Sequence, residues 1–302
     1  MKRSNSIILI VSVTCGFLAM ATQAILAQTI FSDNFTTDSS LQPGWYNLND
    51  STTSSSALNP TAGQGLELVS TASGHVAEIF NQFSPTLITP SVGQTLTLSV
   101  NFNTVGVSGN TGGLVFGLYN TQGSAPNGDE TTASGSGSTA TTGATTNHTG
   151  YFQIAGYNTS AGTSTKLYSR MTGATEQNEL GYYSRMNSDQ YTQLQSNPAS
   201  GNANLADGNA YTLNYSILNT GSGNTITTTI MKGVTTLDDW TYTDASSLNT
   251  SFNELDFGLY NKNGASLDIN TTLVTVSIVP EPSTFALAGL GLIGLVAGFR
   301  RR

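Results

Sequence analysis

The sequence is almost devoid of cysteine. Its single cysteine, Cys15, lies in an apolar N-terminal segment that we predict to be removed from the mature protein. The remaining chain then has no thiol, which excludes disulfide bonds and thiolate metal sites. Any domain in that remainder must be stabilised by the burial of its own apolar core.

Positive charge is the second shortage. Two of the 10 Lys and Arg residues stand at the N-terminus and three at the C-terminus, which leaves five between residues 28 and 279. All 18 acidic residues except Glu281 lie in that stretch, so its 17 carboxylates give it a formal charge of −12. Phosphate backbones are bound by clustered Lys and Arg, and the composition therefore excludes nucleic acid as a partner.

Residues 1–27 have the pattern of a cleavable signal peptide. A short cationic start precedes an apolar run at 7–21, which is too short and too close to the terminus for a permanent anchor. Small residues permit cleavage after Ala24 or after Ala27, and we place the cut between Ala27 and Gln28. The pattern predicts export through the Sec translocon and removal of the segment by signal peptidase.

Alternating apolar and polar residues recur between residues 28 and 279. The clearest runs are at 95–102, 211–217, 225–230 and 267–279. Turn-forming residues separate them, and 219–224 is predicted to be a hairpin turn. About ten such runs, with no long amphipathic helix, predict a single all-β domain built as an antiparallel β-sandwich.

Three segments need separate interpretation. The Gly-, Ser- and Thr-rich tract at 121–149 has few apolar residues to offset the entropy of ordering, so it is predicted to be a flexible loop within the domain. The region at 171–207 is predicted either to hold a short helix near 190–194 or to be only loop. The sequence Phe-Gly-Leu-Tyr-Asn occurs at 116–120 and 257–261. Two copies do not make a repeat protein, so they predict two similar buried strands.

The final 24 residues have three consecutive parts. Val-Pro-Glu-Pro-Ser-Thr at 279–284 is followed by an apolar stretch at 285–299 and then by three arginines. The arginines should stay on the cytoplasmic side of a membrane. A helix of that apolar length spans about 22 Å, which is short for a bilayer core unless the arginines snorkel and the bilayer thins.

This tail closely resembles the PEP-CTERM sorting signal of Gram-negative bacteria. The matching charged and proline residues are Pro280, Glu281, Pro282, Arg300, Arg301 and Arg302. The resemblance implies transient insertion in the inner membrane and cleavage near Pro-Glu-Pro by an exosortase-type transpeptidase. It also implies a place in the cell envelope, on the outer surface or in the extracellular matrix. A tail anchor that is never cut is the alternative.

The domain at 28–279 resembles the concanavalin-A-like jelly rolls that often precede such tails. The carriers are Phe-Ser-Asp-Asn-Phe at 31–35, the two Phe-Gly-Leu-Tyr-Asn segments, Gly-Tyr-Phe at 150–152 and Leu-Asp-Ile-Asn at 267–270. The resemblance implies a jelly-roll-like antiparallel sandwich. We expect it to be flanked by the N-terminal signal helix within 1–27 and by the sorting tail at 280–302, whose apolar stretch at 285–299 is the C-terminal helix. Because lectins, hydrolases and spacers share this fold, function must be argued from individual residues.

The two histidines do not indicate a catalytic triad. His148 ends the predicted flexible tract, where nothing in the sequence would hold its ring in place, and His75 opens a predicted strand. No Gly-x-Ser-x-Gly elbow accompanies either of them. Both are predicted to be ordinary surface histidines.

One strand partly resembles the Glu-x-Asp-x-x-Glu strand of jelly-roll β-glucanases. Glu254 and Asp256 should share one face of a strand, because side chains alternate along it. The second glutamate of that pattern is missing, since Gly258 and Leu259 stand where it belongs. A glycosidase needs a paired acid and base, so the strand is not expected to be catalytic.

Ligand binding has two kinds of candidate residue. Trp240 and Tyr242 lie two apart on a predicted strand and could stack on a sugar, although core packing is the alternative use of such aromatics. The acidic turns at 129–130, 207–209 and 238–239 offer oxygen ligands but lack the spacing of a known calcium loop. No cofactor is expected, and structural calcium is the one exception left open.

The sequence therefore predicts a non-enzymatic exported protein of the cell surface or extracellular matrix, with extracellular polysaccharide as its candidate partner. Two alternatives stay open. One is a carbohydrate-active enzyme, a glycoside hydrolase of the jelly-roll class. The other is a passive structural spacer.

Overall fold

A computed structural model describes residues 27–37, 43–49, 54–56, 63–71, 73–108, 110–126, 130–131, 147–157, 165–170, 191–196, 203–246, 248–264 and 266–280. These residues form sixteen β-strands. The predicted terminal helices and most of the predicted loop at 121–149 lie outside them. Within the described ranges, no helix has the length and hydropathy needed to cross a membrane.

The strands are, in chain order, β1 (Gln28–Asn34), β2 (Trp45–Asn49), β3 (Ser54–Ser56), β4 (Leu66–Ser70), β5 (His75–Asn81), β6 (Gln94–Val105), β7 (Gly113–Asn120), β8 (Glu130–Thr131), β9 (Thr149–Gly156), β10 (Lys166–Arg170), β11 (Tyr191–Ser196), β12 (Ala210–Asn219), β13 (Asn224–Lys232), β14 (Thr235–Asp244), β15 (Glu254–Asn261) and β16 (Leu267–Pro280).

The strands pair into two eight-stranded sheets. Sheet A has the order β14-β13-β12-β6-β16-β4-β3, and β1 also pairs with β16. Sheet B has the order β11-β10-β9-β7-β15-β5-β2-β8. Every pairing is antiparallel except that of β2 with β8. The consecutive strands β4, β5, β6 and β7 alternate between the two sheets, so the chain crosses between them several times. The predicted all-β antiparallel sandwich is confirmed.

An apolar layer between the two sheets forms the core. In β6, buried and partly exposed side chains alternate along the strand, as expected for a strand with one covered face. Aromatic rings span the layer: Phe102 of sheet A lies 5.6 Å from Phe257 of sheet B, and Tyr215 lies 5.3 Å from Phe116. The described domain has no disulfide, and this layer supplies its stability.

The two Phe-Gly-Leu-Tyr-Asn segments are neighbouring strands at the centre of sheet B. They run antiparallel in β7 and β15, with Phe116 directly opposite Phe257. Every residue of both strands is buried, which requires cover on both faces of the sheet. The prediction of two similar buried strands is confirmed.

The prediction of a helix or loop at 190–194 is wrong. Residues Tyr191–Ser196 form β11, which pairs with β10 at the edge of sheet B. Tyr191 packs its ring edge-on against Phe152, with ring centres 5.0 Å apart. Strand pairing and aromatic packing outweigh the weak strand preference of a Gln-rich segment.

Replacing Phe257 by Ala should destabilise the sandwich by about 3–5 kcal/mol, because a fully buried ring at the sheet interface is lost and a cavity remains. Denaturant unfolding measures the change. Val234→Ala is the control, since Val234 is 96% exposed and should change stability by less than about 0.5 kcal/mol. A loss below about 1 kcal/mol for Phe257→Ala would contradict the described packing.

Candidate functional site

The face of sheet B that points away from sheet A carries a cluster of ionisable side chains. Alternation along β15 turns Leu255, Phe257 and Leu259 into the core between the sheets, so Glu254 and Asp256 share the opposite face. That shared face confirms the prediction for the two carboxylates. Both side chains are completely buried.

A third carboxylate, Glu78 of β5, joins the cluster. Glu78 lies directly opposite Gly258 in the ladder between β5 and β15, and it is also fully buried. A Cβ atom on Gly258 would overlap Cγ of Glu78 and the carbonyl oxygen of Ala77. The glycine therefore gives Glu78 its space, and a neighbouring strand places a carboxylate where the β15 sequence has none.

The prediction that His148 is an ordinary surface histidine is wrong. Its ring is completely buried, with Nδ1 2.5 Å from Oε2 of Glu254. Its Nε2 lies 2.8 Å from the carbonyl oxygen of Ser124. Both ring nitrogens are thus held by groups far away in sequence, which composition around residue 148 does not reveal.

Asp256 is held by Tyr119, whose hydroxyl donates a 2.9 Å hydrogen bond to Oδ2 of Asp256. Burial raises the pKa of Asp256 to about 7, and the nearby charge of Glu254 acts in the same direction. The Tyr119 hydrogen bond and the positive charge of Arg170 oppose that shift. Burial also raises the pKa of Tyr119 well above its ordinary value, so the phenol remains a neutral donor.

Arg170 is the cation of the cluster. It ends β10 and lies in one cross-strand row with Gly150, Tyr119 and Glu254. Its side chain is 1% exposed, and its Nε, Nη1 and Nη2 atoms have no hydrogen-bond partner among the described residues. The cluster thus brings together Glu78, His148, Arg170, Glu254 and Asp256, but it is closed to solvent.

Sequence reasoning identified Glu254 and Asp256 but missed Glu78 and Arg170. Both missed residues come from strands remote in sequence. The available signal was a lone glutamate within the apolar run of β5, flanked by Val76, Ala77, Ile79 and Phe80. An isolated charge in a buried strand indicates a partner elsewhere in the fold.

The candidate sugar-stacking residues lie on β14. Trp240 is only 4% exposed and belongs to the core cluster, whereas Tyr242 is partly buried and packs against that cluster. Their rings are nearly parallel, with centres 6.4 Å apart. A binding role for this pair stays a prediction, and Trp240 would act mainly by supporting Tyr242.

Among the described residues, only the acidic segment at 207–209 is a turn. The prediction of a turn is wrong for Asp238 and Asp239, which lie within β14, and for Glu130, which begins β8. Oδ1 of Asp207 accepts hydrogen bonds from the backbone N–H groups of Val107 at 2.7 Å and Ser108 at 3.3 Å. Among the described residues, no group of three or more His, Cys, Asp or Glu side chains could hold a metal ion. Structural calcium therefore stays an untested prediction.

The two predicted processing points come close together. Gln28, at the predicted signal cleavage point, begins β1 and pairs with Ile278 of β16, two residues before Pro280. Pro280 is the last residue of β16. The other tail residues named above lie outside the described ranges. Both ends of the sandwich therefore lie at the same end of sheet A.

The stability of the protein should fall as the pH rises from 5 to 8, and Asp256→Asn should flatten this slope. The folded state holds a proton on Asp256 up to about pH 7, whereas the unfolded state releases it near pH 4. The contribution of Asp256 to the free energy of unfolding is therefore largest below about pH 4 and is lost as the pH rises to about 7. Urea unfolding at pH 5, 6, 7 and 8 measures the slope.

The control for that experiment is the variant Asp239→Asn, which changes an exposed residue of β14. Partial burial and the adjacent Glu67 raise the pKa of Asp268 to about 6, which adds a slope of the same sign to every variant. Identical slopes in the wild type and Asp256→Asn would show that Asp256 is not held neutral.

Comparison with known proteins gives one family match and several structural likenesses. Residues 279–302 match the PEP-CTERM protein-sorting motif. No curated protein matches the sequence. The Emp46p carbohydrate recognition domain in its potassium-bound form is 12% identical, with 83% of this chain and 98% of that chain covered and a TM-score of 0.44.

Two further solved structures have comparable scores. Peanut lectin is 11% identical over 82% of this chain and 97% of its own, with a TM-score of 0.43. The carbohydrate esterase vb_24B_21 from the Shiga toxin-encoding bacteriophage phi24B is 12% identical over 84% and 100%, with a TM-score of 0.41. The sorting motif indicates export and processing at the C-terminus: this chain is an exported all-β sandwich that carries a PEP-CTERM sorting motif at residues 279–302.

Proposed function

We propose that the protein is a non-enzymatic component of the cell surface or extracellular matrix that binds polysaccharide. The observation that carries the proposal is the sorting motif on a sandwich whose carboxylate cluster is closed to solvent. Export with C-terminal processing would bring such a domain into contact with extracellular polymers, which supports the proposal. The sparse cations and the acidic surface favour an uncharged polymer over a polyanion.

The state of the carboxylates supports a non-catalytic role. Glycoside hydrolysis requires one carboxylic acid and one carboxylate in direct contact with the scissile bond. Glu78, Glu254 and Asp256 are all completely buried, and His148 and Tyr119 occupy oxygens of two of them. The buried pair of His148 and Glu254 favours a structural use, because removal of one partner leaves an uncompensated buried charge.

A glycoside hydrolase is the second candidate, and Glu78 is the observation that favours it. With Glu78 beside Gly258, one sheet face carries three carboxylates instead of the two that the β15 sequence supplies. The raised pKa of Asp256, about 7, is typical of a general acid. This candidate requires the cluster to open to substrate.

The deciding experiment uses the protein recovered from its producing cells together with the polysaccharide of those cells. Binding and the release of reducing ends are recorded in the same samples. We expect saturable binding without new reducing ends, and equal binding by Glu254→Gln, because that residue is buried. Glu67→Gln, an exposed change on sheet A, is the matched control.

Two results would contradict the proposal. New reducing ends that disappear in Glu254→Gln but persist in Glu67→Gln would establish a hydrolase. The absence of both binding and cleavage would leave the passive spacer as the better account.

A further inference from the structure

The outward face of sheet A is an ordered array of uncharged polar side chains. Strands β13, β12, β6 and β16 present the alternate positions of 225–231, 212–218, 95–101 and 273–279 on this face. These sixteen positions hold twelve Ser, Thr or Asn residues, four apolar residues and no charged residue. Charged side chains stand only at the margins, such as Asp239 on β14.

One cross-strand line of this face consists entirely of hydroxyl side chains. Direct pairings across six strands align Thr29, Ser277, Thr97, Ser216, Thr227 and Thr241. We call this line the hydroxyl row. With neighbouring strands about 4.8 Å apart, the row extends over about 24 Å. It therefore has the reach of an extended polymer and exceeds that of a single small molecule.

The hydroxyl row has hydrogen-bonding capacity left for a ligand. Thr97 pairs with Ser216 at 3.0 Å between hydroxyl oxygens, and Thr227 pairs with Thr241 at 3.1 Å. One hydroxyl of each pair donates to the other, so one proton and several lone pairs per pair remain available. All six residues are partly or fully exposed to solvent. Sugar hydroxyls likewise both donate and accept, so the chemistry is complementary.

A second copy of the chain suits this face poorly. The uncharged array covers on the order of 500 Å², against about 800 Å² per partner in a stable interface. Its polar composition also differs from the apolar centre of most homodimer contacts. A flat crystalline surface suits it poorly as well, because each strand is rotated by about 20–25° from the next. A flexible chain can follow that twist.

We propose that the hydroxyl row binds an extended segment of a neutral polysaccharide, lying across the strands of sheet A. The inference rests on the proposed function and adds the binding surface and the class of polymer. Each hydroxyl contributes little binding free energy because water competes for the same hydrogen bonds, so a single face binds the polymer weakly. Dense display of many copies of the protein on a surface multiplies the overall affinity for the polymer.

The test removes three adjacent hydroxyls without changing side-chain shape in the two threonines. The variant carries Thr97→Val, Ser216→Ala and Thr227→Val, and valine also suits a strand. Affinity for a soluble neutral β-glucan is measured with the protein recovered from its producing cells, with alginate as the acidic comparison. Binding of the β-glucan should weaken by about tenfold or more, while the urea unfolding midpoint stays within error.

The matched control is Thr192→Val on β11, an exposed threonine of sheet B, which should bind like the wild type. Unchanged binding in the triple variant would overturn the inference and leave the proposed function intact. Lack of any polysaccharide binding by the wild type would overturn both. Equal binding of alginate, or a wild-type dimer that the triple variant converts to monomer, would also overturn the inference.

Discussion

The apolar layer between the two sheets is the interaction on which the rest of the structure depends. The described domain has no cysteine to cross-link it and few ion pairs to support it, so the free energy of folding comes mainly from buried side chains such as Phe102 and Phe257. Because side chains alternate along every strand, fixing the inward set also fixes the outward set. The apolar layer therefore determines which side chains lie on both outer faces of the sandwich.

The two outer faces have opposite characters. On sheet B, a second apolar cluster around Phe80, Phe152 and Tyr168 is also buried, and it surrounds charged groups that water does not reach. On sheet A, the outward positions are partly exposed to solvent and almost free of charge. A buried charge needs partners of fixed geometry, whereas an open hydroxyl can exchange water for a ligand. This difference supports the proposed recognition of polysaccharide on sheet A.

Local pattern predicted the parts of the fold that depend on alternation. Strands β6, β12 and β13 show clear period-two sequences, and the hairpin turn at 219–224 lies between β12 and β13 as expected. The edge strand β11 was missed because its Gln-rich sequence has no clear period, and its pairing with β10 is decided by contacts remote in sequence.

The candidate site was only half predictable for the same reason. Glu254 and Asp256 stand on one strand, so alternation alone places them together. Glu78, His148 and Arg170 come from three other parts of the chain, and strand order in sheet B brings them to β15. The sorting tail was the most predictable feature, because its signal is contiguous in sequence.

Recognition on sheet A is tested most directly by methyl NMR of threonine-labelled protein during titration with a neutral β-glucan. We expect the methyl signals of Thr97 and Thr227 on sheet A to shift in a saturable manner, while that of Thr149, which begins β9 beside His148, does not. Shifts confined to Thr149 and its neighbours, with sheet A unchanged, would place recognition at the buried cluster and contradict a binding role for sheet A.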